Sequence, residues 1–370
     1  MTRNGVKKVM NKRGLSSVEG KAQTVLGPVE TQNLGVTLCH EHLLVNFPFF
    51  VEPPAASDRF RAYQPISSNM KLEYLGWIKY NWLNNLDNWR FNDENLSIDE
   101  VLLYKQVGGN TIVEVTPIEV GRDPLGLARI ARATGVNIIM GTAYYVSTEH
   151  PSEVDTMTED DICEKFVSDI TEGIPDVTTS VRAGIIGEIG CSWPWGRNEK
   201  KVLRAAVKAQ RQTGAPLSIH PGRSVDAMWE AIEIVREARG DLSHTIVCHV
   251  DRTIFDSETR CKVCEAGVYL EWDLFSPDSN CGMENIDFPN DYQRINQIIE
   301  LISKGYVNHI LLSHDNCMKT QCVRYGGLGY GHILNNVVPL MRRKGISEED
   351  IRAMLVENPK RVLAFVSPEK

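Results

Sequence analysis

The chain has 370 residues, of which 42% are hydrophobic, 24% charged and 8% aromatic, and its formal net charge is -8. This composition is that of an ordinary globular protein, and the absence of a basic stripe argues against a nucleic-acid partner. No apolar run approaches the roughly 18 residues that a transmembrane helix needs, so no membrane association is expected.

The chain begins with a polar, basic stretch over residues 1–20 that lacks the apolar core of a signal peptide. We predict that this stretch is a disordered extension. The nine cysteines are scattered and odd in number, which favours free thiols in a reducing compartment and hence the cytosol. Cys261 and Cys264 form a C-x-x-C pair, but no second pair follows, so we interpret them as structural thiols.

Eight short runs of apolar and β-branched residues alternate with longer helical segments. The predicted strands are 35–40, 111–116, 137–144, 183–188, 216–220, 245–249, 267–272 and 309–313. The predicted helices between them are 98–107, 124–134, 159–171, 198–213, 225–239, 254–265 and 289–304. Nearly continuous apolar strands that alternate with helices are typical of a parallel sheet covered on its outside. We therefore predict an α/β fold, a (β/α)8 TIM barrel, as a single domain over residues 21–370.

Helix starts and loops carry recognisable signals. Pairs of a hydroxyl residue and an acid three positions later predict helix starts at Ser97/Glu100, Thr158/Asp161 and Ser347/Asp350. The glycine-rich run at 327–331 lacks the dinucleotide-binding spacing and is interpreted as a loop. Residues 47–96 form a long segment with three tryptophans, which indicates either a packed insertion or a lid beside the active-site mouth.

The predicted strands end in residues that bind metals. Functional groups of a TIM barrel gather at the carboxyl ends of its strands. Six metal-competent side chains fall there: His40, His42, Glu188, His220, His249 and Asp315. In an extended strand, the i and i+2 side chains point to the same side, so His40 and His42 can hold one ion while Glu41 points away. His314 is expected to be structural, because Asp315 is the better-placed ligand.

The number of ligands exceeds what one tetrahedral zinc requires, which indicates a binuclear site with two divalent ions that share Glu188. Zinc suits imidazole and carboxylate ligands, with manganese, cobalt and iron as alternatives. Such a pair polarises a scissile carbonyl or phosphoryl group and makes hydroxide available near neutral pH. Asp315 is the expected general base, which passes the proton on to the leaving group.

These residues lie in motifs that resemble the phosphotriesterase group of the amidohydrolase superfamily over roughly residues 22–366. The motifs are GVTLCHEHLLVN at 35–46, AGIIGEIG at 183–190, APLSIHPGR at 215–223, TIVCHVDRT at 245–253, LLSHD at 311–315 and ENPKRVLAF at 357–365. Within the group, KTQCVRYGGLGYGHIL at 319–334 is most similar to the animal phosphotriesterase-related branch. The resemblance implies one ion on His40, His42 and Asp315, a second on His220 and His249, and Glu188 as the bridge.

The resemblance also bears on the reaction and on the oligomeric state. Bacterial phosphotriesterases carry a carboxylated lysine where this chain has Glu188, as the related branch does, which weakens the case for organophosphate hydrolysis. The branch resembles amidases that act on N-acetyltaurine and related N-acyl taurines, and relatives form monomers or homodimers.

A sulfonate head group requires a cationic partner in the pocket. The candidates for this anionic small-molecule substrate are Arg223, Arg252, Lys319 and Arg324, and the candidate pocket walls are Tyr144, Tyr145 and Trp193. The alternatives on the same metal centre are a lactonase, a carboxylesterase or a phosphotriesterase, because loops choose the substrate. A binding protein without catalysis is the alternative of a different class.

Overall fold

The computed structural model describes residues 18–47, 67–175, 180–276 and 287–369. The predicted extension therefore lies outside the described residues up to position 17. Its last residues pack on the barrel: Val18 is buried and Gly20 N–H donates to Phe365 O at 2.8 Å.

The core is a closed barrel of eight parallel strands. In chain order they are β3 Thr37–Glu41, β6 Thr111–Glu114, β7 Asn137–Thr142, β10 Ile185–Gly190, β11 Leu217–His220, β12 Thr245–Val247, β13 Tyr269–Trp272 and β14 Ile310–Leu312. Each strand pairs with the next one in this order. At the join between β14 and β3, Asp315 N–H donates to His40 O at 3.2 Å. The (β/α)8 prediction and all eight strands are confirmed, within a few residues at their ends.

Short hairpins lie outside the barrel. They are formed by β1 Lys21–Thr24 with β2 Gly27–Glu30, β4 Val45–Asn46 with β5 Arg90–Phe91, and β8 Ile174–Pro175 with β9 Ser180–Val181. The first hairpin packs against the barrel, since Val25 N–H donates to Ile138 O at 2.9 Å.

Helices cover the outside of the barrel. They are α1 Leu72–Tyr80, α2 Glu94–Gln106, α3 Pro124–Thr134, α4 Glu159–Thr171, α5 Glu199–Thr213, α6 Val225–Glu237, α7 Ser257–Glu265, α8 Asp291–Ser303, α9 Val338–Arg343, α10 Glu348–Arg352 and α11 Asn358–Val362. Their buried apolar residues contribute to the core, as in α4, where Ile162, Phe166 and Ile170 are buried. Within the described ranges, no helix combines the length and apolarity needed to cross a bilayer.

The helix-start predictions have mixed outcomes. Thr158 and Asp161 form the predicted capping box, and Ser347 caps α10. Ser97 does not start α2, because Asp93 accepts from the N–H groups of Asn95 and Leu96 and the helix begins four residues earlier than predicted. Ser97 instead donates to Leu43 O within the structure.

A buried carboxylate of the outer layer, that of Asp169, has three hydrogen-bond donors around it. The buried carboxylate of Asp169 accepts from Arg122 Nη2 at 2.9 Å, from Lys165 Nζ at 2.5 Å and from Thr142 Oγ1 at 2.7 Å. Arg122 and Lys165 hold the pKa of Asp169 below its usual range despite burial. The eight described cysteines are all free, as predicted, and Cys261 and Cys264 are buried on α7.

Candidate active site

All six predicted metal ligands meet at the carboxyl ends of the barrel strands. They are His40 and His42 at the end of β3, Glu188 in β10, His220 in β11, His249 beyond β12 and Asp315 beyond β14. Because parallel strands of a barrel end at one face, their last side chains are brought together although they are up to 275 residues apart in sequence. The site is thus built by the topology of the barrel.

One group of ligand atoms surrounds His40 and His42. His42 Nε2 lies 3.1 Å from Asp315 Oδ1 and 3.5 Å from Glu188 Oε1. His40 Nε2 lies 3.7 Å from Asp315 Oδ1 and 3.5 Å from Glu188 Oε2. Atoms that each stand about 2.0–2.2 Å from one tetrahedral ion are roughly 3–3.6 Å from one another. These separations therefore fit a single divalent ion.

A second group lies on the other side of Glu188. The Oε2 atom of Glu188 is 2.8 Å from His220 Nδ1 and 3.6 Å from His249 Nε2, and those two nitrogens are 2.9 Å apart. Glu188 thus contributes one oxygen toward His42 and the other toward His220. A carboxylate in this position can bridge two ions.

The outer nitrogen of three imidazoles is held by neighbours. His42 Nδ1 lies 2.8 Å from Thr116 Oγ1, and His249 Nδ1 lies 2.8 Å from Asp273 Oδ1. His40 Nδ1 lies 3.3 Å from Cys248 Sγ. These contacts leave the Nε2 atoms directed into the site, and outer partners of this kind fix the tautomer that a metal ligand needs.

The donor set fits divalent metal ions. His40 Nε2 is fully buried and has no hydrogen-bond partner among the described residues. Buried polar nitrogens are rarely left without a partner, and here the nearest atoms are carboxylate oxygens arranged as ligands. Four imidazoles with two carboxylates form a set suited to zinc, manganese, cobalt or iron. We conclude that this is a divalent-metal site.

The pKa shifts of three ligands favour metal binding at neutral pH. Burial and the cation of Arg252 lower the pKa of His249, and burial lowers the pKa of His220, so both imidazoles are neutral. Burial opposes ionisation of Glu188, but His40 and His220 hold its pKa well below the usual range. Metal ions bind neutral imidazoles and ionised carboxylates, which are the forms that these shifts favour for His249, His220 and Glu188. The pKa values of His40 and His42 are instead raised, although burial opposes this, by Cys248 and Glu188 around His40 and by Asp315 beside His42, so a bound metal ion would displace a proton from these two imidazoles.

A cavity opens above these ligands. Asp315 and His220 are the ligands most accessible from it, with side chains 19% and 12% exposed, whereas the other four are exposed by 2% or less. Aromatic side chains form part of its wall: Phe47, Trp82, Trp89, Tyr145, Phe275 and Phe288. Both of these tryptophans belong to the 47–96 segment, so the described part of that segment borders the mouth of the cavity, as the lid interpretation expects. Residues 48–66 lie outside the described residues.

Two of the four candidate cations line the cavity. Arg252 is only 3% exposed, and its Nη2 atom lies 3.4 Å from His220 Nε2. Its Nη1 atom is buried without a hydrogen-bond partner among the described residues. Burial and the neighbouring Arg223 lower the pKa of Arg252 to about 10, so it is still a cation at neutral pH. Arg223 lines the same cavity.

Four of the other predicted substrate-contact residues are placed elsewhere. Lys319 Nζ lies 2.7 Å from Asp87, and Arg324 Nη1 lies 3.8 Å from Asp99. Tyr144 is buried behind the wall against His150 and Phe166, and Trp193 is 41% exposed on the surface. The described lining of the cavity does not include Lys319, Arg324, Tyr144 or Trp193, so their contact with a substrate stays a prediction.

The glycine-rich run at 327–331 is a loop, as predicted, and it packs into the site. Gly327, Leu328 and Gly329 line the cavity. Tyr330 is buried, and its hydroxyl donates to His42 O at 2.6 Å. Glu100 holds the preceding turn through the N–H groups of Val323 and Arg324.

Sequence reasoning missed the carboxylates at the end of β13. Asp273 accepts from His249 N–H at 2.9 Å as well as from its ring, and Glu271 Oε2 lies 3.6 Å from His40 Nδ1. Both carboxylates, in the run Glu271-Trp272-Asp273, lie at the carboxyl end of a predicted strand, as the candidate ligands do. Inspection of the end of this seventh barrel strand would have found them.

A buried carboxyl group behind the cavity wall provides a pH prediction. Glu119 accepts from Tyr145 N–H, and burial raises the pKa of Glu119 to about 7. A folded-state pKa above the unfolded value of 4.5 means that its stability contribution is fully present below pH 4.5. That contribution is lost as the pH rises through about 7. In Glu119→Gln, which cannot ionise, Tm should fall less between pH 5 and pH 8.5 than in the wild type.

Thermal melts of both proteins after chelator treatment measure this difference without any metal effect. We expect the variant to gain several degrees relative to the wild type on going from pH 5 to pH 8.5. A difference in Tm that is the same at both pH values would show that Glu119 does not titrate in this range.

A (β/α)8 barrel with a divalent-metal site of histidines and carboxylates at its strand ends is the architecture of a metal-dependent hydrolase. The chain matches the phosphotriesterase family over residues 20–363 and belongs to that family.

Similar proteins agree with this placement. The N-acetyltaurine hydrolase of Xenopus tropicalis is 42% identical over 354 residues, which cover 95% of this chain and 100% of that protein. The N-acetyltaurine hydrolase of Homo sapiens is 42% identical over 355 residues, with the same coverage. A solved structure of a resiniferatoxin-binding protein from Rhodobacter sphaeroides superposes with a TM-score of 0.87 at 32% identity, covering 94% of this chain and 96% of that one.

Proposed function

We propose that this hydrolase cleaves the amide bond of N-acetyltaurine and related N-acyl taurines, which releases taurine and a carboxylic acid. Relatives at about 40% identity over their full length carry this activity in their names. The observation in the structure that carries the proposal is Arg252, a buried cation beside the metal ligands without an ion-pair partner among the described residues. A sulfonate supplies the anion that such a guanidinium requires.

Two other cations of the cavity lining already have partners. Lys79 Nζ donates to Gly326 O at 2.8 Å. Arg294 lines the cavity, but its Nε atom lies 2.6 Å from Asp251 and its Nη1 atom 3.1 Å from Asp291. Arg252, with Arg223 beside it, is therefore our choice for the head-group site. The acyl chain is then left to the aromatic wall around Trp82 and Trp89.

We assign the metal ligands as the geometry groups them. His40, His42 and Asp315 would hold one ion, His220 and His249 the second, and Glu188 would bridge both, with zinc preferred. Bound divalent ions would polarise the amide carbonyl and lower the pKa of a water molecule.

Asp315 is our choice for the proton carrier. Its Oδ1 atom faces the histidines, and its side chain is the most exposed of the ligand set. In the proposed reaction, water adds its oxygen to the carbonyl carbon and gives a proton to the Asp315 carboxylate. The carboxyl group then returns this proton to the amide nitrogen as the C–N bond breaks. The acid formed then gives its remaining proton to the amine, so the products are the carboxylate and taurine with an ammonium group.

We also place the enzyme in the cytosol. The eight described cysteines are unpaired, and most of them are buried, which suits a reducing compartment.

The head-group assignment is tested with Arg252→Met. We expect kcat/KM for N-acetyltaurine to fall about 10- to 100-fold, because a charge-assisted hydrogen bond is worth about 1.5–3 kcal/mol. The same variant should change kcat/KM less than threefold for N-acetylethanolamine, in which a neutral hydroxyl replaces the sulfonate. Steady-state kinetics on the two substrates measure the difference.

Arg324→Met is the matched control, since Arg324 is an exposed cation outside the described cavity lining. It should leave both substrates unaffected. An equal loss on the charged and the neutral substrate would contradict the assignment, and it would show that Arg252 supports His220 instead.

A further inference from the structure

The backbone at Asp315 is in the left-handed region, with φ of 53°. Residues other than glycine adopt this conformation uncommonly, and surrounding contacts have to hold it. The conformation directs the Asp315 carboxylate toward His42 Nε2, 3.1 Å away. The geometry of this ligand therefore depends on what fixes the turn from His314 to Asn316.

Glu41 makes the contacts that fix this turn. Its side chain is fully buried beneath the site. Its Oε1 atom accepts from His314 N–H at 2.9 Å, from His314 Nδ1 at 2.7 Å and from Ser313 Oγ at 2.8 Å. Its Oε2 atom accepts from Asn316 N–H at 2.9 Å. The backbone donors on both sides of Asp315 thus bind one carboxylate.

Other contacts complete the arrangement. Asp315 N–H donates to His40 O at 3.2 Å, so the ligand of β14 is joined directly to β3. His314 Nε2 accepts from Ile333 N–H at 3.1 Å, which leaves the Nδ1 proton of this imidazole for Glu41. His314 is therefore occupied as a support for the turn, as its predicted structural role requires.

The same device occurs at a second ligand. His249 is also left-handed, with φ of 55°, and a buried carboxylate, that of Asp273, accepts from its N–H at 2.9 Å. Two ligands with uncommon backbone conformations are thus each held by a buried carboxylate that lies outside the ligand groups. This recurrence supports a role in shaping the site.

We propose that Glu41 is a positioning residue, which sets the orientation of the Asp315 carboxylate through the N–H groups of His314 and Asn316. The inference rests on the proposed function, because it takes Asp315 as metal ligand and proton carrier. Glu41 itself contacts neither the substrate nor the reacting atoms in this assignment.

Glu41→Gln tests the proposal. An amide has one acceptor oxygen, so it cannot satisfy both ends of the turn. If the amide oxygen keeps the three donors at the Oε1 position, its NH2 group faces the N–H of Asn316, donor against donor. The turn then has to move at the residue that follows Asp315.

We expect kcat for N-acetyltaurine to fall at least 30-fold in Glu41→Gln, with KM changed less than threefold. The visible absorption spectrum of the cobalt-loaded protein, recorded without substrate, should change in band position or intensity, because Asp315 no longer meets the ion at the same angle. A wild-type spectrum together with a wild-type kcat would overturn the proposal.

Glu41→Asp keeps the negative charge but is one methylene too short to reach both N–H groups. Glu41→Asp should show the same loss in kcat and the same spectral change. It therefore tests the positioning role if Glu41→Gln does not fold. Asp169→Asn is the matched control, because it disturbs a buried carboxylate that pairs with Arg122 on the outer layer. It should lower Tm while kcat and the cobalt spectrum stay as in the wild type.

Measuring the bound cobalt distinguishes a failure of the proposed function from a failure of the positioning role of Glu41. If wild-type protein binds no cobalt, the proposed function fails, and the positioning role fails with it. If the wild type binds two ions and Glu41→Asp matches it in spectrum and kcat, only the positioning role is overturned.

Discussion

Asp315→Asn should lower kcat for N-acetyltaurine by about 100- to 10,000-fold while the protein stays folded. The amide has nearly the shape of the carboxylate, so the turn held by Glu41 should persist. It cannot take up a proton near neutral pH, however, and general acid–base catalysis contributes about this factor. The side chain is 19% exposed at the cavity, so its loss of charge leaves no unpaired ion in the core.

Rates under saturating substrate give the effect on kcat, and Tm together with bound metal shows that the site is otherwise intact. If the variant kept more than a tenth of the wild-type rate with its metals bound, Asp315 would not be the proton carrier.

Glu188→Gln should have the second large effect, because it should weaken metal binding and so lower kcat. Both oxygens of Glu188 contact ligand nitrogens, at 2.8 Å for His220 Nδ1 and 3.5 Å for His42 Nε2. A neutral amide offers one weak oxygen ligand, so His220 and His249 alone would hold the second ion. We expect the bound metal to fall from two ions to at most one, and kcat to fall at least 100-fold.

Elemental analysis after gel filtration measures the metal per chain. Asp169→Asn serves again as the control with a buried carboxylate changed away from the site, and it should retain two ions. Retention of two ions in Glu188→Gln would show that Glu188 does not bridge.

The clustering of the six candidate ligands could be predicted from the sequence because it depends mainly on backbone topology. Each ligand follows an apolar run that becomes a strand, and a closed parallel barrel places all strand ends at one face. Even the pairing of His40 with His42 follows from the two-residue period of a strand. The choice of ring nitrogen does not follow, because His220 presents Nδ1 and His249 presents Nε2 through local contacts.

The cations that line the cavity were harder to predict, because the positions of their side chains depend on partners distant in sequence. Lys319 follows Asp315 closely in sequence, yet its ammonium group forms an ion pair with Asp87, which lies in the long segment after β3. Arg252 has no such partner among the described residues, so its charge stays available. Two loop cations that each closely follow a candidate ligand thus differ in the partners that the fold brings next to them.

The sequence gives the positions of Glu41 and Asp273 near the strand ends, but it does not indicate what these side chains do there. A carboxylate beside a ligand can point into the site or beneath it, and only the hydrogen bonds tell which. Glu41 was expected to point away from the metals, and its four contacts with the turn around Asp315 explain what it does there.

The most direct test of the central claim is the release of taurine from N-acetyltaurine by purified protein loaded with zinc or manganese. Taurine is quantified as a free primary amine, and Asp315→Asn protein with the same metal content provides the blank. We predict about two ions per chain and turnover that disappears in the blank. Protein that holds two ions and releases no taurine would contradict the proposed substrate, and equal release by the variant would contradict the proposed site.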